Sequence, residues 1–332
     1  MKRVEIVFPG KEQFELQDYE DGPLGARDVR GRTLATLVSP GTELAWASGD
    51  DHPIRPGYSA VFEVEECGAD VTGVTPGDTV FCMGGHRSTQ QYDMRYVLPV
   101  PAGMSPGMAV MARLMGVSMT TLMTTKARPG DIVIVTGAGP VGFLAAHVFS
   151  LSGYDVRVVE PDATRRRQAE ASGLQAVYPA MPMDDPDVAG NVALVVDCSG
   201  HEQAVLDGCN IVRKLGEVVL VGVPWRQLTD ISAHEVLRAV FFNYVVLRSG
   251  WEFEIPIVSR EFVWEELLEG YNNAPHSVFA SFRKALTWLD RGQIPLDGLV
   301  RTESPADPPS LYGALMRREF EEPFIVLDWT RI

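Results

Sequence analysis

The sequence predicts an α/β protein in which a doubly wound parallel sheet is joined to a second, β-rich domain. Three observations lead to this fold class. Short apolar runs separated by Gly, Pro and Asp fill residues 1 to about 105, strand and helix patterns alternate from about 115 to 250, and a helix–strand pattern returns near the C-terminal end. Continuous apolar strands between helices are typical of a parallel sheet with helices on both faces.

Strands are predicted in both regions from short apolar runs that turn residues bound. The early candidates are VEIVF (4–8), RTLATLV (32–38), AVFEVEE (60–66), DTVFCM (78–83) and MRYVLPV (94–100). The middle candidates, mostly Val, Ile and Leu, are 131–136, 155–160, 193–198, 217–222 and 243–248. Between the second and third of these, Asp162 is a candidate N-cap for a helix, and Gly173 stands where that helix should end.

The C-terminal region predicts two helices and a final strand. Helical spacing relates five apolar residues, and the helix they form should end near Gly292; they are Val278, Phe282, Ala285, Leu286 and Leu289. A second helix is expected over 309–318, and FIVLDW (324–329) should be the last strand. This return to a β-rich pattern predicts a first domain built from both chain ends.

The segment DIVIVTGAGPVG (131–142) carries the strongest functional signal, a G-x-G-x-x-G turn between a β-branched run and a helix. Gly137 allows the tight turn, Gly139 lets the backbone approach a pyrophosphate, and Gly142 lets the helix pack closely on the strand. Pro140 and Val141 open the helix, whose free N–H groups favour an anion. The motif predicts dinucleotide binding; a purely structural turn, or a different ligand, is the alternative.

Glu160 ends the next predicted strand, where a carboxylate can accept hydrogen bonds from an adenosine ribose and repel a 2′-phosphate. This favours NAD(H) over NADP(H), although the three arginines at 165–167 could instead bind a 2′-phosphate. Ser199 and Val223 follow later strand ends and are expected to border the cofactor. The alternative for both is an ordinary loop or core position.

Bulk properties exclude several classes of partner. A formal net charge of −15 argues against nucleic acid and anionic membrane surfaces, whose phosphates attract Lys and Arg. The sequence has no apolar run of about 18 residues, and its N-terminal residues have no signal-peptide pattern. Four widely spaced cysteines fit reduced thiols in a cytoplasm. Cys67, Cys82 and His86 match no metal-ligand spacing, so no metal site is predicted.

The order and spacing of six segments resemble the medium-chain dehydrogenase/reductase superfamily over essentially the whole chain. The segments are PGTEL (40–44), PGYSAVFEVEECG (56–68), PGDTVFCM (76–83), RPGDIVIVTGAGPVG (128–142), VVDCSG (195–200) and GEVVLVGVP (216–224). The resemblance implies a Rossmann nucleotide-binding domain over 111–269 and a discontinuous GroES-like catalytic domain over 1–110 and 270–332. It also places Arg165 near the adenosine ribose and implies a homodimer or homotetramer.

The same resemblance shows that the zinc ligands of the superfamily are absent. Pro40 stands where zinc members have a cysteine, Tyr58 where they have a histidine, and no Cys or His lies near Ala112 and Arg113, where the third ligand should fall. The four-cysteine structural zinc lobe also has no counterpart. Since a catalytic zinc needs about three protein ligands, the sequence resembles a zinc-independent branch with a Ser-x-Gly-Thr-Glu motif, here 39–43.

Side chains must then handle the proton that zinc would otherwise help to release. Tyr58 is the first candidate, with Arg113 able to stabilise a phenolate; its alternative is an aromatic that fills the empty zinc site. Thr42 takes the position of the hydroxyl relay, or bonds a local turn. Glu43 should orient the site rather than react, and His86 is catalytic or else an ordinary loop or core histidine.

We therefore expect an NAD(H)-dependent, zinc-independent enzyme that interconverts a small secondary alcohol and its ketone. The substrate is expected to be a polyol, a sugar-like molecule or a specialised metabolite. Two alternatives stay open: a quinone or enoyl reductase of the same fold, and a nucleotide-binding protein without catalysis. NADPH turnover of activated alkenes distinguishes the first, and NAD(H) binding without turnover distinguishes the second.

Overall fold

The chain divides into two units, which a computed structural model describes over residues 3–259 and 276–332. The first comprises Met1–Arg113, Phe282–Gly292 and Leu296–Ile332, and the second Leu114–Ser281 and Gln293–Pro295. The first unit is thus drawn from both chain ends. The expected domain boundary at 269/270 lies outside the described residues.

The first unit is built on antiparallel strands. Its strands are β1 (Val4–Val7), β2 (Glu15–Asp18), β3 (Asp28–Leu37), β4 (Ala60–Cys67), β5 (Thr79–Cys82), β6 (Thr89–Asp93), β7 (Leu98–Pro99), β14 (Val300–Glu303) and β15 (Phe324–Asp328). The hairpin β1–β2 stands apart, and the main sheet has the order β14-β15-β3-β4-β5-β7 with β6 also paired to β3. Among the strands that the structure describes in this unit, only β14 and β15 pair in parallel. β3 lies in the middle of this sheet. Its residues mostly alternate between buried and accessible, as those of a half-buried strand do.

In its described residues, the second unit has six parallel strands: β8 (Ile132–Thr136), β9 (Asp155–Val159), β10 (Val177–Tyr178), β11 (Val192–Asp197), β12 (Val212–Leu220) and β13 (Val246–Ser249). Their order is β10-β9-β8-β11-β12-β13. The order reverses between β8 and β11, which is the doubly wound arrangement. The predicted fold class is therefore confirmed: an α/β protein with a Rossmann sheet and a β-rich unit.

Helices connect these strands. They are α1 (Pro40–Ser48), α2 (Pro106–Ala109), α3 (Ala112–Thr124), α4 (Pro140–Leu151), α5 (Ala163–Ala171), α6 (Glu202–Ile211), α7 (Ala233–Phe242), α8 (Val278–Asp290) and α9 (Pro308–Met316). The predicted cap of α5 is confirmed, because the Asp162 side chain accepts a hydrogen bond from the Arg165 N–H. α8 has the expected extent, and Gly292 follows it with a left-handed φ of 63°. Among the described residues, no helix is long and apolar enough to cross a membrane.

Several strand predictions were wrong in their extent, among them 32–38 and 217–222, which are β3 and β12 here, and two others have a clear physical cause. Residues 94–96 of the MRYVLPV run form a 3-10 turn instead of a strand. The more polar residues just before them form β6, because they can pair with the edge of β3, and this pairing outweighs their low strand propensity. The strand expected at 243–248 begins only at Val246, because Asn243 is the C-cap of α7 and Tyr244 takes a left-handed φ of 55°.

Candidate functional site

The glycine turn of the second unit has the geometry of an anion site. β8 runs into Gly137, whose φ of 84° is left-handed, and Gly139 caps α4 with Pro140 in its first turn. A Cβ on Gly142 would lie 1.8 Å from the Gly137 carbonyl oxygen, so only glycine fits there. A Cβ on Gly139 would meet nothing within 4 Å. The turn therefore leaves the helix N-terminus open to a ligand.

Glu160 lies directly after β9 and is 3% exposed. Its Oε2 accepts a 2.7 Å hydrogen bond from the Ala138 N–H, and its Oε1 accepts one of 2.8 Å from the Asp162 N–H. Each carboxylate oxygen keeps a further lone pair that can accept from a ligand hydroxyl. The acid is thus fixed beside the glycine turn, where a ribose diol could reach it.

The basic run after β9 divides into different roles. Arg166 donates to the carbonyl oxygens of Glu160 and Pro161, at 2.9 and 2.6 Å. Arg167 bonds Thr164 within the same helix, and the Arg165 side chain is exposed. Arg166, which the sequence did not single out, is therefore the arginine that supports the end of β9.

The two later candidates lie on loops that adjoin the glycine turn. A Cβ on Gly137 would stand 3.4 Å from Ser199, and a Cβ on Gly200 would stand 2.7 Å from the Val223 carbonyl oxygen. Ser199 and Val223 are themselves exposed. Asp197 is buried and accepts hydrogen bonds from the N–H groups of Ser199 and Gly200. It lies in the VVDCSG segment but was not predicted as a site residue, because the sequence does not reveal these contacts.

The first unit brings Tyr58, Thr42, Glu43 and His86 together. The half-buried Tyr58 hydroxyl donates a short hydrogen bond to Ser39 Oγ. Burial raises the Tyr58 pKa above its usual value and the Glu43 charge adds to this, while hydrogen bonds with Ser39 and Thr42 and the Arg113 charge oppose it. The net effect keeps the phenol protonated at neutral pH.

Aromatic and cationic groups surround this phenol. The guanidinium carbon of Arg113 lies 4.8 Å from the Tyr58 ring centre, close enough for a cation–π contact. The Trp46 ring meets Tyr58 edge-on, with 6.2 Å between ring centres. The position predicted for a phenolate-stabilising cation is therefore occupied, although the balance of effects still favours the neutral phenol.

Glu43 is fully buried and accepts hydrogen bonds from three directions. The donors are the Ser39 N–H at 2.7 Å, the Tyr312 hydroxyl at 2.6 Å and His86 Nε2, 3.2 Å from both carboxylate oxygens. Because a carboxylate only accepts, Nε2 must carry the hydrogen. His86 is 1% exposed, so it is a core histidine that holds Glu43.

The network continues away from Glu43. His86 Nδ1 lies 2.7 Å from Thr36 Oγ1, which accepts a 2.9 Å hydrogen bond from Trp329 Nε1. Thr36, Tyr312 and Trp329 were not predicted as site residues, because no local motif marks them. Two of them come from the C-terminal segment of the chain.

The side chains at the three positions where zinc-dependent members have their metal ligands do not fit a zinc ion. Pro40 offers no ligand atom, Tyr58 is hydrogen-bonded to Ser39, and the Arg113 cation faces the same ring. Elsewhere His86 is engaged by Thr36 and Glu43. Within residues 3–259 and 276–332, no group of three or more His, Cys, Asp or Glu could hold a metal ion.

Comparisons with known proteins agree with this architecture. A family profile described as "Glucose dehydrogenase C-terminus" matches residues 108–250. A sorbitol dehydrogenase from Halalkalibacterium halodurans is 27% identical over 265 residues, which cover 67% of this chain and 77% of that protein.

Solved structures share the fold at low sequence identity. Galactitol-1-phosphate dehydrogenase from Escherichia coli gives a TM-score of 0.78 at 14% identity, covering 98% of this chain and 99% of that chain. Acetophenone reductase from Geotrichum candidum, solved in complex with NAD, gives 0.77 at 14% identity, covering 100% and 98%. These structural likenesses show a shared fold, and the profile and the sorbitol dehydrogenase show that the sequence is similar to that of dehydrogenases.

Proposed function

We propose that this protein is an NAD(H)-dependent oxidoreductase that interconverts a secondary alcohol and its ketone without a zinc ion. The relatives that carry names are dehydrogenases and reductases, including a sorbitol dehydrogenase. The proposal rests mainly on one hydrogen bond: the Tyr58 hydroxyl, which burial keeps protonated, donates to Ser39 Oγ. A phenolic donor in a fixed position can stabilise the negative charge that develops on a ketone oxygen, as the zinc ion does in zinc-dependent members of the superfamily.

The cofactor proposal rests on the second unit. Gly137, Gly139 and Gly142, with Pro140 and Val141, form the turn and helix start that would hold a diphosphate. Glu160 would accept from the adenosine ribose, and its charge would repel a 2′-phosphate. When bound, a nicotinamide dinucleotide supplies or accepts the hydride. Ser199, Val223 and Arg165 are proposed as flanking contacts.

The first unit would manage the proton. In ketone reduction, Tyr58 donates its phenolic proton to the substrate oxygen as negative charge develops there. Thr42, which hydrogen-bonds Tyr58, would hold the same oxygen. Glu43 and His86 would orient the pair, because Glu43 fixes the Ser39 backbone N–H and His86 fixes Glu43. The raised pKa keeps Tyr58 in its protonated, donor form at neutral pH, so ketone reduction is the direction proposed for the enzyme in that state.

The substrate is proposed to be small, polyol-like, sugar-like or a specialised metabolite. The test combines zinc analysis of the purified protein, NADH and NADPH titration by fluorescence, and turnover of a panel of ketones and sugar alcohols. We expect no stoichiometric zinc, tighter NADH binding and NADH-dependent ketone reduction. Stoichiometric zinc would refute the metal-free mechanism. NADPH-dependent alkene reduction would favour a quinone or enoyl reductase, and NADH binding without turnover would favour a non-catalytic protein.

We also propose that the protein is a homodimer through the exposed apolar surface around α7. Five large side chains there are more than half exposed: Leu215 72%, Leu237 66%, Phe241 74%, Phe242 64% and Tyr244 61%. Apolar patches of this kind usually mark interfaces. The Lys214 and Arg238 cations lie over the rings of Tyr244 and Phe242, both at 5.7 Å, so these two charges contact aromatic faces of their own chain.

Light scattering during gel filtration tests this interface. Phe241→Glu should give monomers, whereas Leu151→Glu, at another exposed leucine (37%), should not. A monomeric wild-type protein, or a Phe241→Glu dimer, would refute the proposed interface.

A further inference from the structure

Three loops of the second unit interlock at the carboxyl ends of β8, β11 and β12. They are the glycine turn, the segment 197–200 and the segment 221–223. A Cβ on Gly222 would lie 2.5 Å from the Gly200 N atom, and a Cβ on Gly142 would lie 3.1 Å from Cys198 Cβ. The backbones at Gly142 and Gly222 therefore pack at distances that leave no room for a side chain at either position.

Asp197 lies at the centre of this arrangement and is 0% exposed. Its Oδ1 accepts from the hydroxyls of Thr136 at 2.6 Å and Ser199 at 2.5 Å, and from the Ser199 N–H at 3.1 Å. Its Oδ2 accepts from the Gly200 N–H at 3.1 Å. Its backbone carbonyl accepts from the N–H groups of Val221 and Gly222, at 2.8 and 2.6 Å. Asp197 thus bonds the segments 197–200 and 221–223 directly, and it bonds Thr136, the last residue of β8, from which the glycine turn begins.

These partners require an acceptor on both sides of the Asp197 side chain. The N–H groups of Ser199 and Gly200 can only donate, and each faces a different carboxylate oxygen. An asparagine would place its NH₂ group against one of them in either orientation. A buried donor–donor contact is destabilising because neither hydrogen finds an acceptor. A neutral amide therefore cannot replace the carboxylate without moving a loop.

We propose that Asp197 is a positioning residue for dinucleotide binding, a role that rests on the proposed NAD(H) function. It touches no substrate atom; it orders the three loops before the ligand arrives, so that binding does not have to order them. Charge alone would have the opposite effect, because a buried negative charge near a diphosphate opposes binding. If Asp197 positions the loops, removing its charge should weaken dinucleotide binding. If it acts only through its charge, removing the charge should strengthen binding.

The experiment measures NADH and ADP-ribose binding to Asp197→Asn, together with its thermal midpoint. We expect both dissociation constants to rise about tenfold or more, as when one charge-assisted hydrogen bond is lost. Thr136→Val, which removes one donor and leaves the carboxylate, should raise both by a smaller factor. This milder variant keeps the test decisive if Asp197→Asn does not fold.

Glu217→Gln is the matched control. Glu217 is another buried carboxylate of the same sheet, 3% exposed, which accepts from the Lys126 N–H at 2.9 Å and pairs with Arg248 at 3.2 Å. It should lower the thermal midpoint without changing NADH affinity. Unchanged or tighter NADH binding in both Asp197→Asn and Thr136→Val would refute the positioning role while leaving the proposed function intact. A wild-type protein that binds no nicotinamide dinucleotide would overturn both.

Discussion

The carboxylate of Glu160 accepts a 2.7 Å hydrogen bond from the backbone N–H of Ala138, within the glycine turn. One strand end is thereby joined to the turn that follows the neighbouring strand. The same carboxylate accepts from the Asp162 N–H at 2.8 Å. Glu160 therefore shapes the turn and presents a negative charge beside it, and these two roles can be separated by mutation.

Glu160→Gln should weaken NADH binding about tenfold and reduce the preference for NADH over NADPH. The amide would place an NH₂ group against the N–H of either Ala138 or Asp162, and the charge that repels a 2′-phosphate would be gone. Fluorescence titration with both cofactors measures this. Glu170→Gln, at an exposed acid on α5, controls for loss of charge alone. An unchanged NADH/NADPH ratio would show that Glu160 does not select the cofactor.

Tyr58→Phe should lower the rate of ketone reduction by about a hundredfold or more, since positioned proton donors commonly contribute that much. NADH affinity should not change, because the proposed nucleotide contacts are in the other unit. Thr42→Ala should lower the rate less. Steady-state kinetics with a reducible ketone provide the measurement.

Tyr92→Phe is the control for this experiment. Tyr92 is another tyrosine of the first unit, and its hydroxyl donates to the Met83 carbonyl oxygen at 3.0 Å, so its loss should leave turnover intact. Losses below about tenfold in both Tyr58→Phe and Thr42→Ala would remove these residues as the proton-transfer groups.

The pH dependence of the two reaction directions should differ. Because burial raises the Tyr58 pKa, the phenol stays protonated through neutral pH, and the rate of ketone reduction should stay constant at least up to the ordinary tyrosine value of about 10. Alcohol oxidation needs a proton acceptor and should rise with pH over the same range. Tyr58→Phe should remove that rise. A reduction rate that falls between pH 7 and 9 would contradict the assignment of Tyr58 as the donor.

The nucleotide half of the site was predictable from sequence because its signals are local. The β-branched run before Gly137, the glycine spacing and the acid after the next strand all lie within 30 residues. Parallel strands bring their carboxyl ends to one edge, so Glu160 could be placed near the turn without coordinates. What the sequence did not reveal is that Glu160 already bonds Ala138 and Asp162.

The other half depends on contacts between distant residues. Glu43 and Tyr312 are separated by 269 positions, and Trp329 reaches Thr36 across 293. No periodicity or motif encodes such pairs. The sequence alone therefore could not decide whether His86 lies in the core or on a loop. Asp197 was hidden for a similar reason: its local context predicts a strand end, whereas its role depends on which donors surround it.

His147 should make the protein sensitive to acid. It lies in α4, 7% exposed, with its ring 4.8 Å from that of Phe143. Ser172 Oγ donates to the Ala169 carbonyl oxygen, so His147 Nε2, 3.0 Å from that hydroxyl, must be the donor. Burial lowers the His147 pKa from 6.5 to about 4, because a second proton would place a charge in the apolar core.

The folded-state pKa of His147 lies below its unfolded value, so the unfolded chain binds the proton more tightly. The stability that the neutral ring provides is complete above pH 6.5 and is lost as the pH falls to about 4, a change of about 3 kcal/mol. His147→Phe should lose less unfolding free energy than wild type between pH 7 and pH 4, as measured by urea denaturation. His276→Gln, at an exposed histidine, should behave as wild type. Equal acid sensitivity in wild type and His147→Phe would show that other groups govern the loss.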